Sequence, residues 1–321
     1  MMVHYSPISA PIDTLLALAT GQAFRLGIHQ ESSQLSHSTT MGARTSIEMR
    51  RRLWWHIMTL DIQCAAYNKK SPMVSDAMWN TKFPGTFNDN ELTMSNSSIP
   101  PPTSQIFDAD TVMMGSSNSH GEDLENRRAD NSFSLSRIEI IYALSVIERL
   151  ATSSRFTERV KYTDELVQKL NKKYLQLWTG NDTQSFFERN ALKLMLSKLL
   201  LSAKGDVPTQ EILQQCAVVA EAAASLRMTY PSCAWLLRQS VELENLELLW
   251  KCLATLPENM SANPPYVWAL AESATKSGER DDMAACYPHQ WERIIELRDR
   301  AMQVRATRRP GGSRADAVVV E

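Results

Sequence analysis

Along nearly the whole chain, apolar residues recur with the period of an α-helix, and no strand-length window alternates apolar and polar residues. The clearest case is Ile212, Cys216, Val219, Ala223 and Leu226, spaced i, i+4, i+7, i+11 and i+14. Such positions form one stripe of a helix, and a stripe of that kind has to be covered by another element. The same spacing gives Ile140, Leu144, Ile147 and Ala151, then Leu166, Leu170, Tyr174 and Leu177, then Leu236, Leu243, Leu246, Trp250 and Leu253. Between the stripes stand Gly180-Asn181-Asp182, Gly205-Asp206-Val207-Pro208 and Tyr230-Pro231-Ser232, which stop one helix and start the next. Joints this short make neighbouring helices antiparallel. The expected fold is therefore all-α, a multi-helix antiparallel bundle-like domain with one long disordered loop.

That loop is expected at 93–134, which holds nine serines, the run Pro100-Pro101-Pro102 and little periodic apolar content. Such a segment cannot bury enough surface to offset its ordering entropy. It separates an N-terminal part, 1–92, from a C-terminal helical part, 135–304, read as one domain, with 305–321 as a disordered tail containing Pro310-Gly311-Gly312. At 321 residues the chain suits one large domain or two closely packed halves. A formal charge of -2 provides no overall field for holding a polyanion, so any DNA contact would have to be local. The longest apolar stretch, Leu192 to Ala203, is broken by Lys193 and Lys198 and is too short for a membrane span. No secretory leader pattern opens the chain, and an intracellular address is expected. Cys64, Cys216, Cys233, Cys252 and Cys286 form no CxxC pair, so they read as reduced core residues without a zinc site.

One stretch carries more information than the rest: Glu48-Met49-Arg50-Arg51-Arg52-Leu53-Trp54-Trp55-His56-Ile57-Met58-Thr59-Leu60-Asp61. It falls in a helix expected over 47–69. Leu53, Ile57, Leu60 and Cys64 make one stripe, and Trp54, Met58, Asp61 and Ala65 make an adjoining one. A carboxylate on a core-facing stripe needs a partner, and Arg25 on the preceding helix or a nearby helix N-terminus would serve for Asp61. Arg50, Arg51 and Arg52 admit two readings. Clustered cations attract polyanions. Glu48 beside them and the Trp pair after them instead suggest a helix running from the surface into the core, with guanidinium stems packing on the way.

With Ala23-Phe24-Arg25-Leu26-Gly27-Ile28-His29 before this helix and Pro72-Met73-Val74-Ser75-Asp76, Phe83-Pro84 and Asn88 to Leu92 after it, the ordered run resembles the fungal-specific transcription factor domain. This is the middle homology region of zinc-binuclear-cluster regulators. The resemblance places the signature on Leu26, Gly27, His29, Arg50, Arg51, Arg52, Leu53, Trp54, Trp55, Leu60, Asp61, Pro72 and Asp76, as structural positions. Where the family commonly has a Gly-Arg pair before the proline, this chain has Lys69-Lys70. The resemblance implies a nuclear transcription regulator whose DNA contact belongs to a six-cysteine zinc cluster not present here. No cofactor is therefore expected in this chain, and DNA would be reached only through the missing module. The chain reads as a fragment, a shortened gene product or a degenerate member. Expected partners are proteins, including a second copy, or a small-molecule inducer, and no membrane.

Enzymatic readings fare poorly. Asn181-Asp182-Thr183-Gln184-Ser185 resembles the second metal motif of terpene cyclases, but the third ligand position falls on Arg189, a cation that would repel magnesium. Asn181 with Gln184 reads better as a helix cap after Gly180. Neither GxSxG nor a phosphate loop occurs, and His29, His56 and His289 stand alone. Two functions from different classes remain: a regulatory domain that gates an activator, and a stand-alone interaction protein that pairs with full-length regulators. The helix Ile12 to Gly27 bears on both. It carries Leu15 and Leu18 on one stripe and Leu16, Ala19, Ala23 and Leu26 on another, and the helices C-terminal to it can bury only one of the two.

Overall fold

The structure is a computed structural model describing residues 11–31, 41–68, 70–86, 88–90, 129–152, 156–177, 180–205, 207–229, 240–256, 265–280 and 283–308. Among the described residues the regular elements are all helical. They divide into two compact units, Met1–Ala203 and Lys204–Glu321, with the boundary inside the stretch 135–304 that the sequence groups together.

The first unit contains α1 (Pro11–Arg25), α2 (Met41–Asn68), a 3-10 turn at Asp76–Met78, α3 (Ser132–Thr152), α4 (Phe156–Lys173) and α5 (Thr183–Lys204), which ends at the boundary. Helix α2 spans 28 residues, about 42 Å at 1.5 Å per residue. It packs on α1 and α3, and α3 packs on α4. The core gathers Trp54, Trp55, Met58, Leu135, Ile147, Leu170, Leu192 and Leu199. Inside it, Glu139 accepts from Lys173 Nζ at 2.8 Å and from Tyr174 Oη at 2.7 Å. Pairing of this kind is what makes a buried carboxylate and ammonium tolerable.

Two local expectations change in this unit. Helix α3 starts at Ser132, so the last residues of the expected loop 93–134 are its first turn, and 93–128 lie outside the described residues. The cap of α5 is Asp182 rather than Asn181: its Oδ1 accepts the Ser185 N–H at 2.8 Å and its Oδ2 the Ser185 hydroxyl at 2.6 Å. A carboxylate at that position also suits the positive end of the helix dipole. Arg189 donates to the Gly180 carbonyl at 3.1 Å, so the cation that spoils a metal motif has a structural use.

The second unit holds α6 (Gln210–Thr229), α7 (Ser240–Thr255), α8 (Pro265–Arg280), the short α9 (Met283–Cys286) and α10 (Pro288–Arg308). Helix α7 is central and packs against α6, α8 and α10. The stripe Ile212, Cys216, Val219, Ala223 and Leu226 is buried throughout, as are Leu243, Leu246, Trp250 and Leu253; Leu236 lies outside the described residues. Trp250 donates its Nε1–H to Thr275 Oγ1 at 3.0 Å, and Arg305 lies over the Trp268 ring at 4.4 Å. Because α10 runs to Arg308, it takes up the first residues of the expected disordered tail 305–321, whose remainder is outside the described residues.

Candidate functional site

The segment Ala23 to His29 ends helix α1 in a Schellman turn. Gly27 has φ +64°, its N–H donates to Phe24 O at 3.0 Å, and the Ile28 N–H reaches Ala23 O at 2.9 Å. A left-handed residue is needed there, and glycine adopts it without Cβ strain. The turn leaves two carbonyls facing α2, and Arg50 Nη2 donates to Gly27 O at 2.6 Å and to Leu26 O at 3.2 Å. Because the helix has already ended, Leu26 leaves the phase of Leu16 and Ala23 and stands 63% exposed, contrary to its expected place on the buried stripe.

Arg51 and Arg52 are also bound to the protein's own acceptors. Arg51 forms an ion pair with Glu31 through Nη2, and its Nε lies 3.1 Å from Glu31 Oε1. Glu31 in turn accepts the Lys82 N–H at 3.1 Å. Arg52 pairs with Glu48 through Nε at 3.2 Å and with Asp89 through Nη1 at 3.0 Å. The other Glu48 oxygen accepts the Gly85 N–H at 3.2 Å. Burial pushes the Glu48 carboxyl up to about 7, against the opposing pull of the Gly85 N–H and the two guanidinium groups. Glu48 and Arg51 therefore occupy inward positions at this end of α2. Leu53 is consequently turned outward and is 49% exposed, a correction to its expected place on the buried stripe with Ile57 and Cys64; Leu60 is partly buried.

The two indoles divide the work of packing. Trp55 stacks on Phe83, with centroids 3.9 Å apart and planes at 13°, meets Trp79 and Tyr142 edge-on at 5.1 and 5.5 Å, and donates its Nε1–H to Lys82 O. Trp54 faces the other way, toward Phe24 at 5.8 Å and His29 at 6.1 Å. One helix thus joins α1 on one side to the segment 79–85 and α3 on the other.

Asp61 is buried and accepts two backbone N–H groups, from Met73 to Oδ1 at 3.0 Å and from Val74 to Oδ2 at 2.9 Å. Its partners are neither Arg25 nor a helix N-terminus, but the turn that begins at exposed Pro72. Asp76, at the start of the 3-10 turn, pairs with Arg149 of α3 at 2.5 Å. The structure thus brings twelve of the signature residues into one connected clasp or its margins and leaves Leu53 outside it. Sequence reasoning did not identify Glu31, Trp79, Asn80 or Tyr142. Asn80 Oδ1 accepts the Glu31 N–H at 2.7 Å, and the Thr81 hydroxyl donates to Ile28 O. The only signal for them was the presence of polar and aromatic residues just outside the recognised segments.

The arrangement offers positioned ion pairs and a packed aromatic cluster, not a reactive group. Among the described residues no group of three or more His, Cys, Asp or Glu side chains could hold a metal, and no helix is long and apolar enough to cross a membrane. Burial pushes the thiols of Cys64 and Cys252 up to about 11 and raises that of Cys216, so these groups are neutral thiols at physiological pH.

Comparison with known proteins bears on the same region. The chain is similar to the C6 finger domain transcription factor hasF of Aspergillus fumigatus, 37% identical over 79 residues, which are 25% of this chain and 10% of that protein. The chain therefore aligns with only about a tenth of the relative's length. No solved structure matches. The profile of the fungal specific transcription factor domain matches residues 13–203, which takes in the whole clasp and more than half of the chain. The chain belongs to the fungal specific transcription factor domain family.

Proposed function

We propose that this chain is the regulatory, non-DNA-contacting part of a fungal zinc-cluster-type regulator. It acts in the nucleus on RNA polymerase II transcription, with a metabolic gene cluster as the expected target. In this reading it binds protein partners or a small inducer, contains no metal of its own and has no catalytic role. The observation that carries the proposal is the use of Arg50, Arg51 and Arg52. The cations that could form a DNA-binding patch donate instead to Gly27 O, Glu31, Glu48 and Asp89. Guanidinium groups engaged in this way have few donors left for phosphates.

A second reading, a stand-alone protein that pairs with full-length regulators, draws support from α1. Leu15 and Leu18 stand more than half exposed, without cover from any described residue. Apolar surface of this kind tends to recruit a partner. Fusing the chain to an unrelated bacterial DNA-binding domain upstream of a reporter tests the regulatory role. Reporter output should change several-fold relative to the DNA-binding domain alone. Output equal to that control, with the fusion present and bound at the promoter, would overturn it.

A further inference from the structure

A cavity of about 60 Å³, open on one side, lies wholly within the second unit, between α6, α7, α8 and the start of α10. It is outside the residues that the family profile matches. Its walls are apolar: Val219 and Ala223 from α6, Leu246 from α7, and Met283 and Trp291. Gly278 lets the indole lie flush against α8, since a Cβ there would sit 2.5 Å from Trp291 Cζ3 and Cη2.

One polar side chain is buried in this lining. Asn245 is 6% exposed, and its Nδ2 donates to the Cys216 carbonyl at 3.1 Å, which fixes the orientation of the amide. Its Oδ1 is buried and accepts no hydrogen bond. An orphaned amide oxygen in an apolar setting is costly, and a donor delivered to it recovers what burial forfeits. Water is a poor candidate for that donor. An ordered buried water wants two to four polar partners, and this lining provides one buried acceptor, with Ser273, Ser277 and Arg227 lying at the more exposed rim. An apolar body with a single hydroxyl or N–H satisfies both the walls and the oxygen. The volume is well below the roughly 150 Å³ of an engineered cavity that holds benzene. A ring would therefore enter by one edge, with the rest of the molecule in the open mouth.

We infer that this cavity is a binding site for a small, uncharged, mainly apolar molecule that donates one hydrogen bond to Asn245 Oδ1, as a phenol does. Its occupant ties α6, α7 and α8 together at the point where the unit leaves space. That such a molecule acts as an inducer rests on the proposed regulatory role; the binding itself does not, and the test needs no reporter.

The test is titration of the purified full chain with phenol and, separately, with toluene, which has similar size and no donor, followed by calorimetry and the indole fluorescence band. Phenol should bind saturably and about 3- to 10-fold more tightly than toluene, the range one net hydrogen bond provides. Asn245→Leu should abolish that preference. Ala224→Leu, at a half-buried position of the same lining, should weaken both ligands while leaving Asn245 and its bond to Cys216 in place, and it serves the test should the first variant fail to fold. Absence of saturable phenol binding, equal affinity for phenol and toluene, a preference that survives Asn245→Leu, or phenol binding untouched by Ala224→Leu would each overturn the assignment. A reporter that fails to respond to a ligand shown to bind would count against the inducer role alone.

Discussion

Asp61 closes the turn after α2 with two backbone hydrogen bonds, and its removal would strand two N–H groups, one of them buried. Hydrogen bonds to a charged group contribute about 1.5–3 kcal/mol each, so Asp61→Ala should cost on the order of 3 kcal/mol, read as a lower midpoint in urea. Asp61→Asn should recover little of it, since an amide presents one acceptor and turns a donor toward the second N–H. Gly27→Ala should cost about 1–2 kcal/mol, because its φ of +64° is left-handed. Glu48 gives a pH signature. Its folded carboxyl holds a proton up to about pH 7, whereas the unfolded one releases it near 4.5. The folded state thus binds more protons between these values, and stability from this group falls as pH rises from about 4.5 to about 7. The melting temperature of the parent minus that of Glu48→Gln should decline across that window and level off above it; a flat difference would contradict the assignment. At this scale the sequence showed which residues belong together, through the order of Gly27, the arginines, the Trp pair and Asp61. It concealed the partners, because Glu31 lies 20 residues from Arg51, and Asp89 lies 37 from Arg52. Periodicity carries no information about such pairings.

The helices themselves were readable from their period, and the stripe on α6 is buried as drawn. Failures came at helix ends and on faces with buried charge. Leu26 fell out of phase at a Schellman turn, Leu53 turned outward because Glu48 and Arg51 point in, and α5 took its cap one residue later than expected. Helix α2 should be the least replaceable element of its unit. Trp54→Ala should cost about 3–5 kcal/mol, the usual range for a buried indole, and a melting temperature within a degree or two of the parent would refute its anchoring role. On α1, Leu15 and Leu18 remain outside while Leu16 and Ala23 are buried. The chain should therefore self-associate as its concentration rises in light scattering, and Leu15→Glu with Leu18→Glu should return it to monomer. Unchanged scattering in the double variant would place the contact elsewhere.

Across the whole chain, the family match ends at residue 203, where the first compact unit also ends. The all-helical class was legible because every strong stripe has a period near 3.6. The division into two units was not, because α5 and α6 are separated by a joint no different in composition from those within a unit. The cavity on the second unit was hidden for a similar reason: Asn245 reads as one polar residue in an apolar helix, and its role depends on Trp291 arriving from 46 positions later. Everything proposed for the molecule depends on the arginine run being structural rather than nucleic-acid-binding. The direct measurement is fluorescence anisotropy of labelled duplex DNA titrated with the purified chain at physiological salt. Neither the parent nor Arg50→Ala or Arg52→Ala should show saturable binding in the sub-micromolar range, while both variants melt at lower temperature than the parent. Sub-micromolar binding by the parent that either variant abolishes would contradict the structural role of these arginines.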